Sequence, residues 1–378
     1  MMTPTDLMGK IPNMTHLASL DFEEETHPKR VVYSKLLPSP IDIITQLACP
    51  LDIKQFILKK RHEISSIIHG RDDRLLTIIG PCSIHNVDEA IEYAKRLTAV
   101  VQQYESTLVI VMRVYLEKPR TTVGWKGLIH DPYLDGTNDI NHGLKISRQL
   151  LLNINSLGLA CACELLQPLI TYYISDLISW GAIGARTAES QVHREFVSGL
   201  NMPIGFKNGT TGCIQMAIDA CVASRMKHSL LSISHHGNIV HCETSGNDDL
   251  HVVLRGGSMN GPNYSSEHVM KTRKLLNESH IKTKIMIDCS HGNSMKNVEQ
   301  QKYVIGDVCN QVAYGDRTII GVMVESNLVS GSQPLIEGGK HLLQYGKSIT
   351  DSCIGWDATM LQLQLLSDSV YQRRRHND

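Results

Sequence analysis

Short, largely apolar runs recur along this chain, and each ends in a charged residue or a cysteine- or histidine-containing turn. Runs 78–79, 109–112, 161–163 and 182–185 lead into Gly80-Pro81-Cys82, Arg113, Glu164 and Arg186. Runs 203–206, 252–254, 285–289 and 319–324 lead into Lys207, Arg255, Ser290-His291 and Glu325. Runs of this length without polar alternation fit strands buried on both faces, as in parallel sheets. Helical periodicity fills the intervals at 87–104, 139–157, 167–180, 189–200, 213–226, 265–278 and 297–313, and 357–373 reads as an eighth helix. Eight buried strands alternating with helices, reactive at their C-terminal ends, predict an α/β fold: a (β/α)8 TIM barrel with its site on the top face.

Two further strand-like stretches, 229–234 and 239–243, flank His235-His236-Gly237-Asn238. That interval is too short for a helix and carries a turn signal, so the pair reads as a β-hairpin inserted before the sixth barrel strand. Residues 1–70 precede the barrel as an N-terminal helical extension, broken by Pro38-Ser39-Pro40 and Cys49-Pro50. Within it, 51–68 is amphipathic, with apolar residues at 53, 56, 57, 64, 67 and 68. The extension reads as a cap on the bottom of the barrel or as an oligomer or regulatory arm, and 71–378 as the catalytic barrel.

Composition narrows the function. The 378 residues are 42% hydrophobic, and 37 Lys plus Arg balance 38 Asp plus Glu, for a formal net charge of -1. Such a chain has no global field for nucleic acid or anionic lipid, so cations at the strand ends act locally on a small anionic ligand. No run approaches a membrane span. Ten cysteines lack CxxC spacing and several fall inside apolar runs, the usage of reduced thiols in a cytoplasmic protein.

Candidate chemistry gathers at the strand ends. Cys82 alone reads as a packed hydrophobe. In company with His291, Glu325 and Asp351, it completes a thiolate, imidazole and two-carboxylate set suited to a borderline transition metal such as Mn, Fe, Co or Zn. Arg113 precedes Lys118-Pro119-Arg120-Thr121, which is a solvated turn or a stiff phosphate-binding loop. Gly184, Ala185 and Arg186, then Lys207, then Arg255 offer backbone N–H groups and charge to an anion. Glu164 among these cations is a structural ion-pair partner or a group that positions water. His193 reads as a helix-start residue, and His235-His236 as a hairpin tip.

Together these blocks resemble the type I 3-deoxy-D-arabino-heptulosonate 7-phosphate (DAHP) synthases, over about residues 71–359. The motifs are long: LLTIIGPCSIH, MRVYLEKPRTTVGWKGLI, SWGAIGART, GFKNGT, LRGG, GVMVESNLV and YGKSITD. The resemblance implies metal-dependent condensation of phosphoenolpyruvate with erythrose 4-phosphate, the first step of the shikimate pathway to aromatic amino acids. It implies that Arg113, Lys118, Arg186, Lys207 and Arg255, with the backbone of Gly184 and Ala185, bind phosphoenolpyruvate. Lys118, Pro119, Arg120 and Thr121 would hold erythrose 4-phosphate, and Cys82, His291, Glu325 and Asp351 the divalent metal. Lys118, Glu164 and Lys207 are the implied catalytic residues. It further implies a homodimer or homotetramer with an aromatic amino acid effector.

The intact Lys118-Pro119-Arg120-Thr121 block argues against the related 3-deoxy-D-manno-octulosonate 8-phosphate synthases. The complete ligand and cation sets argue against a non-catalytic homologue. Departures from the family lie elsewhere: an insertion at Ser258-Met259-Asn260-Gly261, another within 336–344, and Cys289 in place of Phe. Gln167 to Tyr172 and Asn201 also differ, near the family's effector site.

Overall fold

The computed structural model describes residues 30, 33–281, 284–336 and 339–375. Among the described residues, the unit Pro38–Asp378 carries all regular elements. In chain order they are α1 (Pro40–Gln46), α2 (Leu51–Ile68), β1 (Leu75–Gly80), α3 (Val87–Tyr104), β2 (Leu108–Arg113), α4 (Ile140–Ser156), β3 (Ala160–Glu164) and α5 (Pro168–Ile174). There follow β4 (Trp180–Ile183), α6 (Gln191–Ser198), β5 (Ile204–Lys207), α7 (Gln215–Ser224), β6 (Ser229–Ile233), β7 (Ile239–Glu243) and β8 (Leu250–Leu254). The last are α8 (Ser266–Glu278), β9 (Ile285–Asp288), α9 (Gln300–Ala313), β10 (Ile319–Glu325) and α10 (Trp356–Arg375).

Eight parallel strands close a barrel in the order β1-β10-β9-β8-β5-β4-β3-β2, while β6 and β7 pair antiparallel as the separate hairpin. The seam joins the first and last strands, with Ile78 opposite both Met323 and Val111. Strand alternation divides the side chains. Leu76, Ile78, Val109, Val111, Ala160, Ala162 and Met323 form one cluster with Tyr115 and Trp180 inside the barrel. The opposite parity, including Ile79, Met112, Cys161, Cys163, Val252 and Ile287, packs under the helices. Both strand-three cysteines thus face outward, as their parity predicts.

The interior is filled from below by α2, whose Ile64, Ile67 and Ile68 are buried in the inner cluster. Each such side chain contributes about 1.5–3 kcal/mol of burial. This helix therefore caps the bottom of the barrel. Trp180 needs space as well: a Cβ on Gly205 would lie 2.6 Å from its Cζ2 atom, so only glycine fits there. At the seam, a Cβ on Gly321 would lie 2.1 Å from the Leu76 carbonyl oxygen.

Three boundaries depart from the periodicity. α5 ends at Ile174 rather than 180, because Ser179 already donates its N–H to Cys161 O and Trp180 opens β4. β4 accordingly ends at Ile183, leaving Ala185 and Arg186 in the following loop. α9 starts at Gln300 rather than 297, because the preceding turn puts Met295 and Lys296 in the left-handed region at φ 52° and 59°.

Candidate active site

The site is built where β1, β2 and β10 end. Gly80 has φ 153°, and a Cβ there would lie 2.9 Å from the Arg113 carbonyl oxygen, so glycine lets β1 turn tightly over β2. That turn exposes carbonyls to Arg113, whose Nε donates to Pro81 O at 3.2 Å and whose Nη2 donates to Cys82 O at 3.2 Å and Glu325 Oε1 at 3.1 Å. The guanidinium stacks 3.9 Å above the buried Tyr115 ring. Burial opposes its charge, but Tyr115 and Glu325 outweigh burial and hold its pKa above the ordinary range. Arg113 Nη1 is buried without a hydrogen-bond partner. A cation held this way has one nitrogen, with its two N–H groups, left for an anion.

Beside it, one ligand atom each from Cys82, Glu325 and Asp351 lie within 4.8 Å of one another. His291 stands at the edge of this group, with Nε2 3.7 Å from Glu325 Oε1. Its backbone takes φ 55°, a left-handed conformation that costs a non-glycine residue energy and recurs at functional positions. Lys118 Nζ donates to Cys82 Sγ at 3.0 Å and to Asp351 Oδ2 at 2.8 Å, so an ammonium charge sits among these donors. Burial works against the Lys118 charge, yet Cys82 and Asp351 hold its pKa above the usual lysine range. Burial likewise opposes the Asp351 anion, and Lys118 more than offsets it, placing that carboxyl below the usual range. Burial, and then Glu325, push the Cys82 thiol up to about 11. A thiol, an imidazole and two carboxylates already gathered around a positive group fit a divalent cation of borderline softness.

The anion-binding half faces this cluster. Arg186 Nη2 donates to Thr121 Oγ1 at 3.0 Å, joining the loop after β4 to the loop after β2. Arg120 Nε donates to Trp125 O at 2.8 Å, which folds residues 120–125 over the mouth. Lys207, buried at the end of β5, donates to Asp288 Oδ2 at 3.0 Å. A Cβ on Gly184 would meet Glu164 Oε1 at 2.2 Å, so glycine there admits the carboxylate to the pocket. The cavity measures about 230 Å³ and opens to solvent. Among the described residues its lining holds seven cationic side chains, Arg113, Lys118, Arg120, Arg186, Lys207, Arg255 and Lys296. Three carboxylates, Glu164, Glu325 and Asp351, oppose them, an excess of four positive charges. Such a cavity selects a small polyanion.

The cavity wall also includes Pro119, Thr121, Gly184, Ala185 and His291, and Cys82 lies buried just beneath Lys118. All of the sequence-predicted site residues therefore come together at one end of the barrel. His193 does not join them; it bonds Ser190 Oγ and Leu166 O in the first turn of α6. Sequence reasoning missed Tyr115, Asp288 and Lys296. It also missed a buried amide network: Asn208 Oδ1 accepts from Arg255 N at 2.8 Å and Asn263 Nδ2 at 3.1 Å, while Asn263 N donates to Asn293 Oδ1 at 2.8 Å. The remaining omission is Gln301 of α9, which accepts from Glu325 N and donates to Glu325 O, both at 3.1 Å. Asp288 carried a signal, an acid ending a strand-like run; Gln301 lies in an ordinary amphipathic helix and carried none.

With this geometry in place, comparison with known proteins is decisive. Residues 49–364 match the DAHP synthetase I family. The chain belongs to the DAHP synthetase I family. It is 51% identical over 340 residues to the Phe-sensitive phospho-2-dehydro-3-deoxyheptonate aldolase of Escherichia coli strain K12, covering 90% of this chain and 96% of that protein. It is 45% identical over 369 residues to the phospho-2-dehydro-3-deoxyheptonate aldolase of Corynebacterium glutamicum, covering 96% and 99%. A solved structure of that aldolase from Francisella tularensis SCHU S4 superposes with a TM-score of 0.88 at 45% identity, covering 90% of this chain and 99% of that one. As a DAHP synthase, it carries out the first step of the shikimate pathway. Among the described residues no helix is long and apolar enough to cross a membrane.

The Gln301 clamp is expected to matter to DAHP synthase activity although Gln301 lines no part of the cavity. Gln301→Met leaves the Glu325 N–H unpaired, while the carbonyl keeps the Ile354 N–H at 2.9 Å, a loss of roughly 2 kcal/mol of stability by urea titration. Displacement of the Glu325 carboxylate is expected to lower activity about tenfold.

Proposed function

We propose that this DAHP synthase holds phosphoenolpyruvate on Arg113, Lys118, Arg186, Lys207 and Arg255 with the backbone of Gly184 and Ala185. Erythrose 4-phosphate lies on Lys118, Pro119, Arg120 and Thr121. Cys82, His291, Glu325 and Asp351 hold a divalent transition metal, Mn, Fe, Co or Zn. The observation that carries this reading is the excess of four positive charges in one cavity beside the three-donor cluster. When bound, the metal supplies Lewis-acid polarisation of the aldehyde and a template for the second substrate.

The protein's own groups then have distinct tasks. Arg113, with its unpartnered Nη1, and Lys207 neutralise and orient phosphoenolpyruvate so that C3 faces the aldehyde. The C2=C3 π pair forms the C3–C1 bond while the aldehyde C=O pair moves onto its oxygen, which takes a proton from Lys118, and water adds at the electron-poor C2. Glu164, held against Gly184, orients that water and takes its proton. The C2–O bond to phosphate then breaks, and the departing phosphate stays on Arg186 and Lys207, where the cations stabilise developing charge.

We further infer a cytoplasmic enzyme, consistent with ten free cysteines. Residues 1–70 are read as an oligomer and regulatory extension of a homodimer or homotetramer; residues 1–29 lie outside the described part. An aromatic effector site of altered shape is the reading for a second cavity, of about 510 Å³, between α5, α6 and the β6–β7 hairpin. Tyr172 reaches across it to hydrogen-bond Ser232 and packs against Phe196 at 6.0 Å and His235 at 6.4 Å. Asn201 also lines it, while Thr171 is buried beside it. A side chain of this size takes up volume that an aromatic ligand would need.

Four outcomes test these assignments. Chelation with EDTA should abolish turnover and Mn should restore it, with Cys82→Ala weakening metal affinity and activity together. Because the Cys82 thiol sits at about 11 without metal, binding releases its proton, and wild-type affinity should rise about tenfold per pH unit from this group between pH 6 and 8. Cys82→Ala should lose that one-proton slope in a chelator-competition titration. Steady-state kinetics should show Arg120→Ala raising the KM for erythrose 4-phosphate, and Lys207→Ala that for phosphoenolpyruvate, each by about 10- to 100-fold; the reverse pattern overturns the substrate assignment. Titration of Phe, Tyr and Trp at sub-saturating phosphoenolpyruvate should give weak inhibition, and half-inhibition by Phe at about ten micromolar (roughly 7 kcal/mol of binding) would contradict a remodelled pocket.

A further inference from the structure

At the end of β9 lies a carboxylate to which the reaction assigns no role. Asp288 is fully buried, and both of its oxygens are committed. Oδ1 accepts from Ser290 N at 3.1 Å and from Ser290 Oγ at 2.8 Å. Oδ2 lies 3.0 Å from Lys207 Nζ and 3.0 Å from His291 Nδ1. The backbone is pinned too, since Asn293 Nδ2 donates to Asp288 O at 2.9 Å. Burial opposes ionisation of this carboxyl, but His291 and Lys207 outweigh burial and hold it well below the usual range.

A buried anion is costly unless paired, and here one oxygen serves two partners with different tasks. A proton on His291 Nδ1, shared between Asp288 Oδ2 at 3.0 Å and Ser290 Oγ at 2.6 Å, leaves the Nε2 lone pair turned toward Glu325 and the donor cluster. Ligating histidines elsewhere gain orientation and basicity from such an outer carboxylate. The same Oδ2 atom fixes the ammonium of Lys207 at the cavity wall. Among the described residues, no other carboxylate is bonded to Lys207.

We infer that Asp288 is a positioning residue that couples the metal half of the site to the phosphoenolpyruvate half by holding His291 and Lys207 through one shared oxygen. This rests on the reading that His291 ligates metal and Lys207 binds phosphoenolpyruvate. Neutralising Asp288 therefore loosens both halves together, and leaves the erythrose 4-phosphate loop at residues 118–121 unaffected.

The test uses the full-length protein stripped of metal. Mn affinity is read by chelator competition, and phosphoenolpyruvate affinity by calorimetry without metal. Asp288→Asn is expected to weaken Mn binding about 10- to 100-fold and phosphoenolpyruvate binding about tenfold. At saturating Mn and phosphoenolpyruvate, the KM for erythrose 4-phosphate should stay within about twofold, which a general loss of structure would not permit. His291→Ala and Lys207→Ala are run as references. If each reference loses its own ligand while Asp288→Asn keeps either affinity within about threefold of wild type, the coupling is overturned. If the references keep their ligands, the underlying assignment fails and the coupling with it. Should Asp288→Asn not fold, Ser290→Ala removes a hydroxyl that contacts Asp288 Oδ1 and lies 2.6 Å from His291 Nδ1 without touching Lys207. It is expected to weaken Mn binding about three- to tenfold with phosphoenolpyruvate affinity unchanged, and wild-type Mn affinity in that variant overturns the role.

Discussion

The constraint on which this molecule depends is the burial of charge at the top of a barrel. Arg113 and Lys207 are almost without solvent, and each would cost several kcal/mol if left alone. The fold meets this by matching every such cation to an acid of the same site: Arg113 to Glu325, Lys118 to Asp351 and Cys82, Lys207 to Asp288. The acids and cations were brought together for chemistry, and they also stabilise one another before any ligand arrives. Under the proposed assignment, binding a dianion and a divalent cation would exchange partners within a preorganised set, which is how such a site supplies electrostatic stabilisation without reorganising.

Around these pairs the backbone is held by neutral groups. Gln301 replaces the missing strand neighbour of Glu325, and the three asparagines 208, 263 and 293 knit the loops after β5, β8 and β9. Close approach completes the frame: a Cβ on Gly256, at φ 70°, would lie 2.4 Å from the Gly292 carbonyl carbon. Loops locked in this way place a strained His291 reproducibly, where looser ones would let it relax.

Much of this was legible in the chain because a parallel barrel writes itself plainly. Strands buried on both faces are unbroken apolar runs, and a side chain ending one must point up into the site, so Arg113, Glu164, Lys207 and Glu325 were readable from position alone. The hairpin was legible because His235-His236-Gly237-Asn238 leaves no length for a helix. What was not legible depends on contacts between segments far apart. Gln301 differs in no local way from other helix residues, and Asn208 looks like any polar residue after a strand. Asp288 was overlooked because its neighbour His291 offered the more obvious chemistry. The early end of α5 was hidden because Trp180, an aromatic residue compatible with a helix, is claimed by the barrel interior opposite Gly205.

The seam of the barrel has a consequence for how the molecule comes into being. β1 finds its second neighbour only in β10, far later in the chain, and α2 is made before either. Until β10 arrives, the oily plug formed by Ile64, Ile67 and Ile68 has no closed ring to enter. Contacts this distant in sequence make closure slow and leave apolar surface open meanwhile. The growing chain therefore has a long window in which it is sticky, and a chain cut just before Ile319 leaves β1 and β9 without their shared neighbour, an open sheet rather than a smaller barrel.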